Sequence, residues 1–286
     1  MLTRVTLHNQ IVVYQSRLLN SLGVTHAFST RVGGVSPPPF QTLNLGNPQG
    51  TSQDSKENLR ANMERLLAGL GMSDVAVATV RQVHGGKVAS RRMQQQSSES
   101  SDRNLSYGLE SQTQADAMVS DVTSVVLAIR IADCVPILLA TDDGRIVAAI
   151  HAGWRGVLAE VVPHTITEIN IMGVDSARIN AVIGPAIGVE HFEVGPEVAE
   201  KFHTAGLGGM VKTIGYVKPH LDLVGAIKQQ LRQCGITRIE GGELCTFANA
   251  GDFFSHRRDH GITGRMAAII RPVCPQAGWC SVTPIN

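Results

Sequence analysis

Eight short apolar runs, rich in β-branched residues and in several cases apolar on both faces, constrain this chain most. They fall at residues 11–14, 24–29, 75–80, 124–131, 136–141, 146–151, 179–184 and 267–270. A strand that is apolar on both faces belongs in a sheet covered on each side. Helical periodicity fits residues 53–70, where Leu59, Met63, Leu66, Leu67 and Leu70 share one face, and residues 157–172, 196–202 and 222–234. Gly71 and Gly235 stand where helix C-caps belong. Strands and helices in this irregular order predict an α+β fold with mixed sheets rather than a regular doubly wound one. At 286 residues and 43% hydrophobic, the chain is long enough for one large domain or two intimately packed halves. We read residues 1–286 as a single large domain.

Composition excludes several classes. The formal net charge is +1 with no basic run, so neither nucleic acid nor an anionic membrane surface is expected as a partner. The N-terminus lacks a signal peptide's apolar segment, and no uninterrupted apolar stretch reaches membrane-spanning length. The five cysteines are odd in number and scattered; Cys274 and Cys280 could pair, but a reducing, cytoplasmic location is the simpler reading. A monomer or small homo-oligomer is expected. Eleven of the 24 residues at 91–114 are Ser or Gln, which predicts a flexible polar loop between two strands. Residues 271–286, with Pro272, Pro275 and Pro284, read as an irregular tail.

Three islands carry the chemistry: Arg81-Gln-Val-His84-Gly, Ala132-Asp-Cys134-Val-Pro and His151-Ala-Gly-Trp-Arg-Gly156. Together they offer His, Cys and His, a borderline-soft donor set that suits Zn²⁺ and leaves a fourth tetrahedral position free. Structural zinc sites usually recruit four protein ligands, so three point to a site that does chemistry. His84 precedes Gly85 and Gly86, Cys134 lies between two apolar runs, and His151 ends a run before a Gly-rich turn. Pro136 is expected to end one backbone ladder before the next begins. Taken singly, a Cys amid apolar residues is usually a small core residue, and a lone His a satisfied structural group.

These islands, together with Phe28-Ser-Thr-Arg-Val-Gly-Gly34, Leu43-Asn-Leu-Gly46, Phe253-Phe-Ser-His-Arg-Arg-Asp259 and Thr263-Gly-Arg265, resemble the YfiH-like family. That family is also named laccase-domain or multicopper polyphenol oxidase and, more recently, purine nucleoside phosphorylase. The motifs run in the family's order from about residue 24 to 270. The resemblance implies a layered α/β/β/α fold with mixed sheets. It implies a zinc-dependent enzyme that phosphorolyses adenosine, inosine, guanosine and methylthioadenosine and also deaminates adenosine, with purine nucleosides and phosphate as its partners. His84, Cys134 and His151 would be the zinc ligands, at the centre of catalysis. Two positions depart from the pattern: His256 stands where the family often has Tyr, and Thr51 where it often has Asp. A link to editing of cell-wall precursors is neither supported nor excluded by these residues.

Deamination needs water activated at C6 of adenine, and bound zinc lowers the pKa of water toward ~7. Asp133, beside the Cys ligand, is the nearest carrier for the proton of the leaving ammonia; equally, it caps a turn or orients a His ligand. The chain lacks the His-x-Glu and Pro-Cys-x-x-Cys signature of the well-known zinc nucleobase deaminases. Phosphorolysis needs phosphate opposite the departing base at the ribose C1′, held by guanidinium forks or backbone N–H groups. Arg31 is the first choice, with Arg155, Arg257, Arg258 and Arg265 also in motifs; at least two of the five are expected in structural or surface ion pairs. Trp154 could stack on a purine or simply pack. Asn44 could bond a ribose or base edge, or close a turn.

Three rivals use the same residues. A copper-dependent polyphenol oxidase could use His₂Cys with Cu²⁺, but the ten histidines include no His-x-His pair of the kind a multicopper cluster needs. A metal-independent Cys–His hydrolase would use Cys134 as nucleophile and His84 or His151 as base. A non-catalytic partner-binding protein would hold the metal structurally.

Overall fold

The computed structural model describes residues 1–47, 52–92 and 111–274. Two mixed six-stranded sheets dominate. The first has the order β1 (Thr3–Thr6), β2 (Val12–Gln15), β3 (Thr25–Ser29), β14 (Met266–Arg271), β7 (Val125–Ile131), β4 (Ala76–Ala78). The second runs β13 (Arg238–Gly241), β10 (Ile179–Ile183), β8 (Val135–Thr141), β9 (Val147–Ala152), β6 (Ala117–Ser120), β5 (Val88–Arg91). β11 (Val211–Lys212) and β12 (His220–Leu221) form a small separate ribbon. Among the described residues six α-helices accompany them: α1 (Arg17–Ser21), α2 (Lys56–Gly69), α3 (Trp154–Leu158), α4 (Val161–Ile171), α5 (Pro196–Thr204) and α6 (Leu223–Gln233).

The period-2 alternation of the strands sorts their side chains into three apolar layers. Leu127, Ile129 and Ile131 of β7 meet Leu138 and Ala140 of β8 and Val147 and Ala149 of β9 between the two sheets. Val126 and Ala128, on the opposite face of β7, pack with Met63, Leu66 and Leu67 of α2. Val135, Ile137 and Leu139 of β8 and Ala148 and Ile150 of β9 lie under Val161, Ile166, Phe202, Ile227 and Leu231 of α4, α5 and α6. The result is the α/β/β/α layering expected of an α+β fold with mixed sheets. No described helix is long and apolar enough to cross a membrane.

All eight apolar runs form strands and all four helical patterns form helices. Gly71 and Gly235 follow the C-caps of α2 and α6 at φ +70° and +87°, the left-handed geometry that ends a helix. The second helical pattern, 157–172, is split, because Glu160 at φ +54° breaks the chain between α3 and α4. β1, β5, β6, β11–β13 and α1 have no counterpart among the expectations; most are too short to show a period. Pro136 sits inside β8 rather than between ladders, paired with His151 and accepting the Gly184 N–H at 2.9 Å. Near a strand's start the missing N–H is tolerated. Of the polar loop at 91–114, residue 91 belongs to β5 and Gln114 bridges Arg81, while residues 93–110 lie outside the described residues. Most of the 271–286 tail does too, as does Thr51.

The sheets differ in where they let the chain cross. β7 belongs to the first and β8 to the second, so residues 132–134 carry the chain from one to the other. His151, of the same parity as Val147 and Ala149, faces the first sheet at the open end of β9. Beneath this end the sheets approach closely: a Cβ on Gly184 would lie 2.2 Å from the Phe28 ring and 2.8 Å from Pro136. Gly184→Ala is therefore expected to destabilise the fold by about 1–3 kcal/mol through overpacking. The measurement is the denaturation midpoint at constant slope; an unchanged midpoint would contradict so tight an approach.

Candidate functional site

The three islands converge. One ligand atom from each of His84, Cys134 and His151 lies within 4.8 Å of the others, about the reach of an ion that bonds His nitrogen at ~2.0 Å and Cys sulfur at ~2.3 Å. The two imidazoles meet edge to face, with centroids 4.9 Å apart at 80°. Each comes from a different piece of backbone. His84 is exposed in the turn between β4 and β5, Cys134 is half-buried at the sheet crossover, and His151 is buried in β9. Gly153 is required by proximity, since a Cβ there would lie 2.9 Å from the Cys134 Sγ and 3.3 Å from the His84 ring.

A residue missing from the sequence reading holds the set together. Asp116, fully buried just before β6, accepts from His151 Nδ1 at 2.9 Å through Oδ1. The same oxygen accepts the His84 N–H at 2.9 Å, and Oδ2 accepts those of Gly85 at 2.6 Å and Val83 at 3.2 Å. Burial pushes the Asp116 carboxyl up, but the His151 ring and the Gly85 and His84 N–H groups outweigh it and hold it below its usual range. With Nδ1 committed to this carboxylate, His151 presents Nε2 as its donor. The N–H bonds also fix His84 at φ +60°, a left-handed conformation costing a non-glycine residue on the order of 1 kcal/mol. The only sequence signal was an acidic residue at the head of the apolar run Ala117-Met118-Val119, which β6 was too short to reveal.

The donors suit a divalent metal of borderline softness. Burial pushes the Cys134 thiol up, but His151 and then His84 overcome it and bring the thiol well down. Burial likewise draws the His151 imidazole down, and the Cys134 sulfur and Asp116 reverse it, lifting it above the usual range. The pair therefore favours a thiolate, the form that ligates metals or attacks as a nucleophile.

The other sequence candidates are placed differently. Asp133, buried at φ +85°, bonds neither ligand histidine; Oδ1 accepts from Thr246 Oγ1 and Oδ2 from the Arg257 N–H, both at 2.6 Å. It clamps the segment carrying residues 246–257 against the Cys134 turn. Asn44 is fully buried: Nδ2 donates to Asp54 at 3.1 Å, and Oδ1 accepts the N–H groups of Gly46 at 3.2 Å and Arg265 at 2.8 Å. Arg31 stacks on Phe254 at 4.7 Å and donates to the carbonyls of Gln41 and Ala250. Arg258 directs its guanidinium at the carbonyls of Thr246, Phe247 and Phe253 and at Asp259. Arg155, exposed, lies 4.3 Å over the Trp154 ring, which packs against the core. Of the five arginines, only Arg258 forms an ion pair among the described residues; carbonyls and rings engage most of the rest.

Asp116→Asn keeps the shape but loses the charge that orients His151 and the His84 turn. It is expected to weaken metal binding about 10–100-fold, read by competition with a coloured chelator. An unchanged affinity in a folded variant would show that the carboxylate does not tune the ligands.

Residues 25–272 match a family model described as multi-copper polyphenol oxidoreductase laccase. A purine nucleoside phosphorylase of Deinococcus radiodurans is 37% identical over 251 residues, covering 87% of this chain and 90% of that protein. The purine nucleoside phosphorylase YfiH of Escherichia coli K12 is 36% identical over 249 residues, covering 87% and 93%. Among solved structures, Bacillus licheniformis YfiH superposes with a TM-score of 0.81 at 28% identity, covering 94% of this chain and 99% of that one. A Neisseria meningitidis protein does so at 0.74 and 35%, covering 88% and 95%. With the match spanning both sheets and all three islands, the chain belongs to the YfiH-like, laccase-domain family.

Proposed function

We propose that this protein is a zinc-dependent purine nucleoside phosphorylase that also deaminates adenosine, acting on adenosine, inosine, guanosine and methylthioadenosine. The observation that carries the reading is the convergence of His84, Cys134 and His151, oriented by Asp116, in a chain whose relatives bear the phosphorylase name. His84, Cys134 and His151 would hold the ion, which when bound supplies Lewis acidity and activated water. The chain's own residues do the rest. Asp116 keeps His151 in one tautomer and His84 in one turn conformation. Asp133, through Thr246 and Arg257, holds the wall of the site in register with the ligands; a proton-carrying role in deamination requires one of its oxygens to exchange its present donor. Arg31, Asn44 and Arg258 have side-chain donors engaged by backbone carbonyls, Asp54 or Asp259, which leaves exposed Arg155 the most available of these four to a ligand.

A second reading has a specific observation behind it: a thiol drawn down by a buried imidazole is also the pair of a metal-independent Cys–His hydrolase. The oxidase name of the family model motivates copper as an alternative metal, yet one three-donor group is all that the described residues gather, and a multicopper cluster needs several.

The test is purified protein with adenosine, with and without phosphate, following adenine, ribose 1-phosphate and inosine together. Adenine with ribose 1-phosphate is expected only with phosphate, and inosine in both arms. Chelation, His84→Ala and Cys134→Ala are each expected to bring both activities to background and to remove most bound zinc. Full activity after chelation would replace this reading with the thiol hydrolase, and stoichiometric copper with intense visible absorption would replace it with the oxidase.

A further inference from the structure

We infer that Arg265 is the residue that holds the phosphate co-substrate, an assignment that rests on the phosphorylase reading above. The register of the first sheet places it. Met266 pairs with Ile131 at the end of β7, so Arg265 stands beside Ala132, at the mouth of the turn that carries Asp133 and Cys134. The residue is half-buried and rigidly mounted. Its N–H donates to Asn44 Oδ1 at 2.8 Å, its carbonyl accepts the Leu45 N–H at 2.9 Å, and Nη1 donates to the carbonyls of Thr263 and Gly264 at 3.1 and 3.0 Å.

That mounting leaves the other edge of the fork uncommitted. Among the described residues, Nε and Nη2 of Arg265 have no protein acceptor and no carboxylate lies within ion-pair distance. This combination is unusual for a partly desolvated cation, which normally finds a carboxylate. Arg258 has spent its donors on carbonyls and Asp259, and Arg31 has two donor nitrogens on carbonyls. Arg257 donates to the Glu193 carbonyl and lies exposed over Phe192 at 5.2 Å. The surroundings of Arg265 are consistent with this place: burial draws its guanidinium down, while Cys134 and Asp133 oppose that, so both lie within its electrostatic reach. A tetrahedral oxyanion with two oxygens fits the open edge of such a fork.

Asn44 then acquires a positioning role. Its carboxamide, buried and tied to Asp54, carries the Arg265 backbone.

The experiment titrates inorganic phosphate into the zinc-loaded wild type, R265Q and R265K at matched ionic strength, read by calorimetry and by phosphate-dependent thermal stabilisation. R265Q is expected to bind phosphate at least about tenfold more weakly, and R265K to lie between. Phosphate affinity in R265Q equal to wild type overturns the assignment, as does a wild type that shows no phosphate binding. Should R265Q not fold, R265K decides, since an unchanged affinity without the fork also overturns it. In steady state, R265K is expected to raise KM for phosphate more than KM for inosine; an equal rise in both counts against it. Ribose 1-phosphate formation by the wild type is followed separately. Its absence removes the phosphorylase reading, while the binding titration still decides Arg265.

Discussion

The hydrogen bonds of the Asp116 carboxylate couple the orientation of His151 to the conformation of the turn that carries His84. One buried anion thereby sets two of three ligands, and the third follows from topology, because Cys134 sits where the chain crosses between sheets. Burying a carboxylate is costly unless its oxygens are fully bonded. Four donors converge on this one, three of them backbone N–H groups from residues 83–85. The cost of a left-handed His84 is therefore offset by the same bonds that stabilise the anion. A ligand on a flexible turn would carry a large ordering entropy on meeting a metal; here that ordering is completed during folding.

Asp133 repeats the arrangement on the other side of the thiol. It too is a buried carboxylate that bonds a backbone N–H, that of Arg257, together with the Thr246 hydroxyl, and its own backbone is left-handed at φ +85°. The Ile187 N–H reaches its carbonyl at 2.9 Å. Two residues in strained conformations, the ligand His84 and the Asp133 beside the ligand Cys134, are thus each stabilised by long-range bonds. Strain concentrated in this way marks a site whose geometry is held by its surroundings rather than by local preference.

The layered fold was legible because its signals are local: two-sided apolar runs such as residues 124–131 and 146–151 need only neighbours on both faces. The ligand trio was legible from residue type and flanking motifs. Asp116 was not, since nothing near it in sequence reveals that Val83, His84, Gly85 and His151 would all turn to it. The arginines failed for a related reason. A guanidinium's role is decided by which acceptors the folded chain brings within reach, and for Arg31 and Arg258 these are carbonyls from residues 41, 246, 247, 250 and 253. Asn44 illustrates the same limit: the turn-closing alternative matches its bond to Gly46, but its bond to Arg265 spans most of the chain.

The charges around the donor set bear on any anion that approaches it. A divalent ion among His84, Cys134 and His151 would face the Cys134 thiolate and, behind His151, the Asp116 carboxylate; these formal charges cancel its own. Asp133, buried next to Cys134 in the chain, adds a further carboxylate. An anionic co-substrate entering such a site would meet no net attraction from the donor set alone. Arg265 adds positive charge locally: it sits beside the crossover turn, mounted on backbone, with no carboxylate within ion-pair distance among the described residues. The donor set, with its charge balanced by its own ligands, and the guanidinium, mounted on backbone carbonyls, are thus held as two separate charged groups of one site.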